Sequence, residues 1–170
     1  MPKVFPILCV SLLLVACASV TVDQNANQKI KNYNAIVRPA KDVIDPVHGK
    51  ETGFWYGAMS GVNGTNANGV VFMHGYSDGA YAVTLNLNIL PAKKGWHFVA
   101  DLRGADSAQV LSIGTLVSIV GDARHSVKLE TTTDAHALLT VSVFLVADSG
   151  RAAEAQLVAS GTLKQPPMSH

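Results

Sequence analysis

Cysteine is nearly missing from this chain. The only two among 170 residues, Cys9 and Cys17, both stand before the polar part of the sequence begins. Everything after residue 17 must therefore fold without a disulfide and without a thiolate zinc site. Charge is scarce as well, at 15% of residues, and the thirteen basic side chains nearly balance the twelve acidic ones. No basic stripe results, so a nucleic-acid backbone finds nothing to grip. After residue 17 there is also no apolar run near the ~20 residues that a membrane-spanning helix needs. Apolar residues nevertheless make up 48% of the chain, which excludes disorder along its whole length.

The one sustained apolar run lies at the start. Met1-Pro2-Lys3 supplies a single positive charge, and residues 4–15 are almost unbroken in their hydrophobicity around Leu12-Leu13-Leu14. That length suits the core of a signal peptide. The run ends in Leu14-Val15-Ala16-Cys17, which resembles the bacterial lipobox, where a small residue precedes the cysteine that receives lipid. Ala16 fits a narrow protease subsite, and the Cys17 thiolate can take a diacylglycerol group before cleavage. Cys9 follows bulky Leu8 and would leave too short an apolar core. The resemblance implies a bacterial lipoprotein precursor cut before Cys17, with a membrane as its first partner through lipid on that residue. A plain secretory signal with an incidental cysteine is the alternative. Similarity to the sorting rule of enteric bacteria, with Ala18 rather than Asp after the cysteine, places the anchor in the outer membrane facing the periplasm if the host has two membranes.

The sequence divides into a signal peptide (1–16), a lipidated N-terminus and tether (17–50), a β domain (51–164) and a flexible tail (165–170). The tether is rich in Asn and Gln around residues 22–28. Ile30, Tyr33, Ile36 and Val37 recur at helical spacing, so a short amphipathic helix and an irregular segment are both open there. Asp45-Pro46 and His48-Gly49 carry turn chemistry.

From Phe54 onward short apolar segments alternate with glycine-bearing turns. Tyr81, Val83, Leu85, Leu87 and Ile89 alternate with Ala82, Thr84, Asn86 and Asn88, the period of a strand with one dry face and one wet face. Ala137, Leu139, Val141, Val143 and Leu145 alternate in the same way, with Thr140 and Ser142 on the wet side. Further strands are predicted at 70–76, 96–102, 110–120, 125–129 and 155–163, with residues 61–69 as a turn-rich loop and Ser77-Asp78-Gly79 as a tight reversal. Such segments argue for a sandwich or a small barrel, and the expected fold is an all-β antiparallel sandwich.

Catalytic and metal-binding patterns find little support in the residues. The six histidines are His48, His74, His97, His125, His136 and His170, and none stands at a His-x-His or His-x3-His spacing. Gly75-Tyr76-Ser77-Asp78-Gly79 spells Gly-x-Ser-x-Gly by letter, but Ser77 and Ser149 both sit in turns beside Asp and Gly, which is ordinary hairpin chemistry. Asp101, Glu130 and Glu154, the acids near predicted strands, read as solvated edge charges. No glycine loop leads from a strand into a helix as phosphate binding requires. These readings predict no catalytic residues, no metal and no cofactor.

Phe54-Trp55-Tyr56 is the most unusual local feature. In an extended chain these rings point alternately to opposite faces, so at least one turns away from the core. They either seal an edge of the domain by packing or form a contact surface for an envelope protein, a glycan or a lipid surface.

Residues 79–164 resemble the extracytoplasmic C-terminal domain of anti-sigma-K-type factors. The matching segments are Asp78-Gly79-Ala80-Tyr81, Leu90-Pro91, His97-Phe98-Val99-Ala100, Val110-Leu111-Ser112-Ile113-Gly114-Thr115-Leu116, Val141-Ser142-Val143-Phe144-Leu145 and Leu157-Val158-Ala159-Ser160-Gly161-Thr162-Leu163. A tryptophan of that family has no counterpart near Ala100 and Asp101, and Val146 stands where an acidic residue is expected. The resemblance implies an Ig-like sandwich outside the cytoplasm. It does not imply sigma-factor binding, which belongs to a separate cytoplasmic domain of that family.

Together these features predict a lipid-anchored module of the bacterial cell envelope that binds, senses or scaffolds without catalysis. Two rivals remain open: a carrier of a small hydrophobic ligand, which would need a large apolar cavity, and an enzyme whose site gathers His97, His125 and an acid.

Overall fold

The alternation at residues 81–89 becomes a strand with those same bounds, Tyr81–Ile89, in which Val83, Leu85, Leu87 and Ile89 are buried while Asn86 and Asn88 face water. Burying each such side chain stabilises the fold by about 1.5–3 kcal/mol, so the pattern fixes which face turns inward. This computed structural model describes residues 43–105, 108–118, 121–149 and 155–166. Cys17 with its lipobox, the candidate helix at 30–37, Glu154 and His170 lie outside the described residues.

Nine strands form among the described residues: β1 (Ile44–Asp45), β2 (Gly49–Gly61), β3 (Ala67–Tyr76), β4 (Tyr81–Ile89), β5 (Trp96–Arg103), β6 (Val110–Thr115), β7 (Arg124–Thr131), β8 (Thr140–Ala147) and β9 (Gln156–Thr162). The all-β, antiparallel expectation is met. Its layout is one continuous sheet in the order β6-β5-β8-β9-β2-β3-β4-β7, with β1 paired to the start of β2, in place of two separate Ig-like sheets. The sheet curls until its end strands nearly meet. Just past β6, Val117 and Ser126 exchange two backbone hydrogen bonds of 2.9 Å each. The result is a barrel-like closure that leaves little free sheet edge.

The interior is packed with side chains. Met59, Met73, Leu85, Leu87, Leu102 and Leu163 are its largest fully buried members, and Phe98, Ile113 and Val158 join the same cluster. Glycines let the walls approach closely. A Cβ on Gly57 would stand 2.5 Å from the Thr162 carbonyl oxygen, where β2 runs beside β9.

Several sequence expectations change. The loop placed at 61–69 contracts to residues 62–66, because β2 runs through Gly61 and β3 starts at Ala67. Asn63 (φ 53°) and Gly64 (φ 79°) take the left-handed conformations that so short a reversal requires. The strand placed at 110–120 stops at Thr115, after Gly114 adopts φ 124° and breaks the extended run. Ile44–Asp45 and Gly49–Lys50 belong to the sheet, although they fall in the segment assigned to the tether. Asp45 shapes that hairpin, its Oδ1 accepting the backbone N–H of Val47 at 2.8 Å and of His48 at 2.9 Å. In the tail, Pro166 is buried. Ser142, placed on the wet face, is only 6% exposed, because it is flanked across the sheet by Asp101 and Ser160.

Candidate functional site

The three consecutive rings separate as an extended chain demands. Trp55 turns inward and packs against the core, its ring 6.5 Å from that of Tyr81. Phe54 and Tyr56 turn outward on β2. There the register sets Phe54 opposite His74 and Tyr56 opposite Phe72, both on β3. Because side chains alternate along β3, Phe72, His74 and Tyr76 share that outer face.

These residues form one row of rings. Phe54 stacks on Tyr56 and on Phe72 with centroids 6.2 Å apart in each case, and lies 4.9 Å from His74. His74 stacks on Tyr76 at 6.3 Å, and Tyr76 on His48 at 5.2 Å. All six rings are half-buried, each shielded by its neighbours with one side left to solvent. Val70, 43% exposed, extends the apolar area along β3. The outer face changes character on the next strands. Phe72 is followed across the sheet by Thr84 and then Lys128, and Val70 by Asn86 and then Ser126. The aromatic row is thus bordered by polar side chains, with Lys128 Nζ donating to Glu130 Oε1 at 2.7 Å.

Two carboxylates orient the histidines of the row. Glu51 Oε2 lies 3.0 Å from His74 Nδ1, and Asp78 Oδ2 lies 2.8 Å from His48 Nδ1. The bond to Asp78 holds the His48 ring above its usual pKa. In turn Asp78 is held below the ordinary carboxylate range, first by the backbone N–H of Ala80 and then by His48. Burial, foremost, pushes the Tyr76 phenol up. With Nδ1 occupied in both histidines, Nε2 is the nitrogen left to meet a partner.

The other described histidines, His97, His125 and His136, stand apart. His97 Nδ1 faces Asp148 Oδ1 at 2.7 Å, and His136 Nδ1 faces Asp134 Oδ1 at 2.6 Å. His125 is buried edge-on to Phe98 at 5.3 Å, with Nδ1 3.0 Å from the Ala123 carbonyl. His97 and His125 therefore do not converge on a shared acid. Among the described residues no three His, Cys, Asp or Glu side chains gather as metal ligands would. Glu130 is an exposed edge charge, as its position suggested. Asp101 is not, since its side chain is only 17% exposed and accepts from Arg103 Nη2 at 3.1 Å. The guanidinium of Arg103 in turn covers the Phe144 ring at 4.9 Å.

Sequence reasoning found Phe54 and Tyr56 and missed Phe72, His74, Tyr76 and His48. The signal for three of these was present, since Phe72-x-His74-x-Tyr76 repeats rings at the two-residue period of a strand. Compared with family models, with curated proteins and with solved structures, the chain matches none.

Proposed function

We propose that this chain is a lipid-anchored module of the bacterial cell envelope that works by contact, without catalysis, and holds a glycan against the aromatic row on β2 and β3. The observation that carries the contact reading is the row itself: Tyr56, Phe54, Phe72, His74, Tyr76 and His48 in continuous ring contact on the outside of a nearly closed sheet. Rings that serve only the core point inward, as Trp55 does. A sugar ring offers an apolar face that stacks on an aromatic ring and a rim of hydroxyls that seek hydrogen bonds. The oriented His48 and His74 suit that rim, and the low charge of the chain suits a neutral polymer. Anchoring rests on Leu14-Val15-Ala16-Cys17, with Cys17 taking the lipid and the outer membrane as its address in a host with two membranes.

The test is co-sedimentation of the full chain, in mild detergent, with purified bacterial sacculi. The native chain should pellet with them, and the Phe54→Ala/Phe72→Ala variant should stay in the supernatant while melting as a folded protein. A native chain that stays in the supernatant would overturn the glycan assignment, as would a variant that pellets equally well. Should the row instead engage an envelope protein, cross-linking from position 54 in cells would capture polypeptide and no sugar.

A further inference from the structure

A cleft lies at the end of the barrel away from Tyr76 and His48. Here β4 ends at Ile89, and Pro91, which has no N–H, prevents the sheet from being continued. The chain swings out through residues 90–95, Gly95 taking φ 87°, and re-enters at Trp96. A cleft of about 530 Å³ opens between this loop, the turn at Thr65 and Asn66, and the facing ends of β8 and β9. That size lies within the range that holds small-molecule ligands, and a barrel mouth is a favoured place for one.

Its floor consists of Ile89, Phe98 and Val158, which belong to the core, together with Leu145 packed against them. Leu90 stands at the rim 75% exposed, an apolar side chain left in water beside an apolar cleft. Trp96 forms one wall, half-buried. The polar groups are confined to the margin: Thr65, Asn66, Gln156 and Lys93. Of these described lining residues Lys93 alone carries charge.

We infer that the mouth of the barrel is a binding site for a free amphipathic carboxylate, its hydrocarbon body on Phe98, Leu145 and Val158 and its head at the Lys93 ammonium. An apolar floor selects the body, and a single cation at the rim selects an anionic head over a neutral or cationic one. This site is distinct from the aromatic row, and its failure would leave the glycan proposal untouched.

Quenching of tryptophan by chain-brominated dodecanoate tests the assignment, with the full chain held in phosphatidylcholine nanodiscs and empty discs as the partition control. Bromine against the indole should quench saturably, and the saturable part should vanish in Trp96→Phe, which retains Trp55. Lys93→Gln should weaken the acid by up to about fivefold, the scale of an exposed ion pair, and leave brominated dodecanol unchanged. Leu90→Asp, at an exposed position that the fold does not need, should weaken both roughly tenfold. Quenching that never saturates would overturn the proposal, as would acid and alcohol responding alike to Lys93→Gln. Loss of the signal in phosphatidylglycerol discs would also overturn it, because a bilayer lipid would then be the occupant.

Discussion

His74 Nδ1 stands 3.0 Å from Glu51 Oε2, and only 4% of the Glu51 side chain reaches solvent. The contact exists because β2 bulges. Its register steps from Glu51 opposite Tyr76 to Gly53 opposite Gly75, two residues against one, which turns Glu51 onto the face that carries Phe54 and His74. A carboxylate is thereby set beneath the aromatic row, where it orients a ring instead of meeting water.

Removing either partner should therefore cost more than a surface contact. His74→Ala, which removes a hydrogen bond to the buried Glu51 carboxylate, is expected to lower stability by about 1–3 kcal/mol, and Glu51→Ala, which removes it from a ring that is 34% exposed, by less. A double-mutant cycle by denaturant unfolding should give a coupling of at least ~0.5 kcal/mol. Strictly additive losses would show that the two side chains do not act together.

Acidity should tune the contact between His48 and Asp78. The His48 pKa is raised, chiefly by its bond to Asp78, so its contribution is complete below the ordinary value of 6.5 and fades as pH climbs through the higher folded value. Asp78 is lowered, so its contribution is present above the ordinary 3.8 and fades as pH falls through the lower folded value. The pair thus stabilises most between those two ordinary values. In Asp78→Asn the carbonyl can still accept from Ala80, but the charge is gone. The His48 pKa, followed by NMR, should drop, and the gap in melting temperature from the native chain should narrow from mildly acidic to alkaline pH. A gap that is constant with pH would contradict this.

The two faces of the sheet set a third expectation. Leu85 and Val143 have no measurable exposure, and an unpaired carboxylate there costs several kcal/mol, approaching the ~5–15 kcal/mol total stability of a domain. Leu85→Asp and Val143→Asp should unfold the protein, whereas Asn86→Asp, on the wet face of β4, should change stability by less than about 0.5 kcal/mol. Ser142→Asp should melt well below the native chain, because it would set a buried carboxylate directly across from Asp101. Thermal unfolding followed by circular dichroism distinguishes these outcomes, and equal melting temperatures for Leu85→Asp and Asn86→Asp would invert the assigned faces.

The ease of reading β4 and the difficulty of reading β2 have one cause. In β4 the run from Val83 to Ile89 alternates between the core and the outer face, so the local pattern carries most of the answer, and only Ala82, 8% exposed opposite His74, departs from it. In β2 the outer face meets other rings, and its partners Phe72, His74 and Tyr76 lie on another strand. Local alternation separates Trp55 from Phe54 and Tyr56 but does not say what those two rings will touch. The meeting of Val117 with Ser126, which nearly closes the sheet, is equally invisible along the chain, because it depends on the accumulated curl of all the strands between. Ser142 failed for a related reason: a small hydroxyl with close neighbours on both flanking strands is covered even on an outer face.

The proposed place of the chain at a membrane depends on lipid at Cys17, and metabolic labelling with palmitate followed by membrane fractionation tests it most directly. The native chain, made in a bacterial host, should carry the label and pellet with membranes. Cys17→Ala, which lacks the sulfur nucleophile, should carry none and leave the anchored fraction. A variant that keeps both label and membrane, or a native chain that takes up no label, would contradict the account.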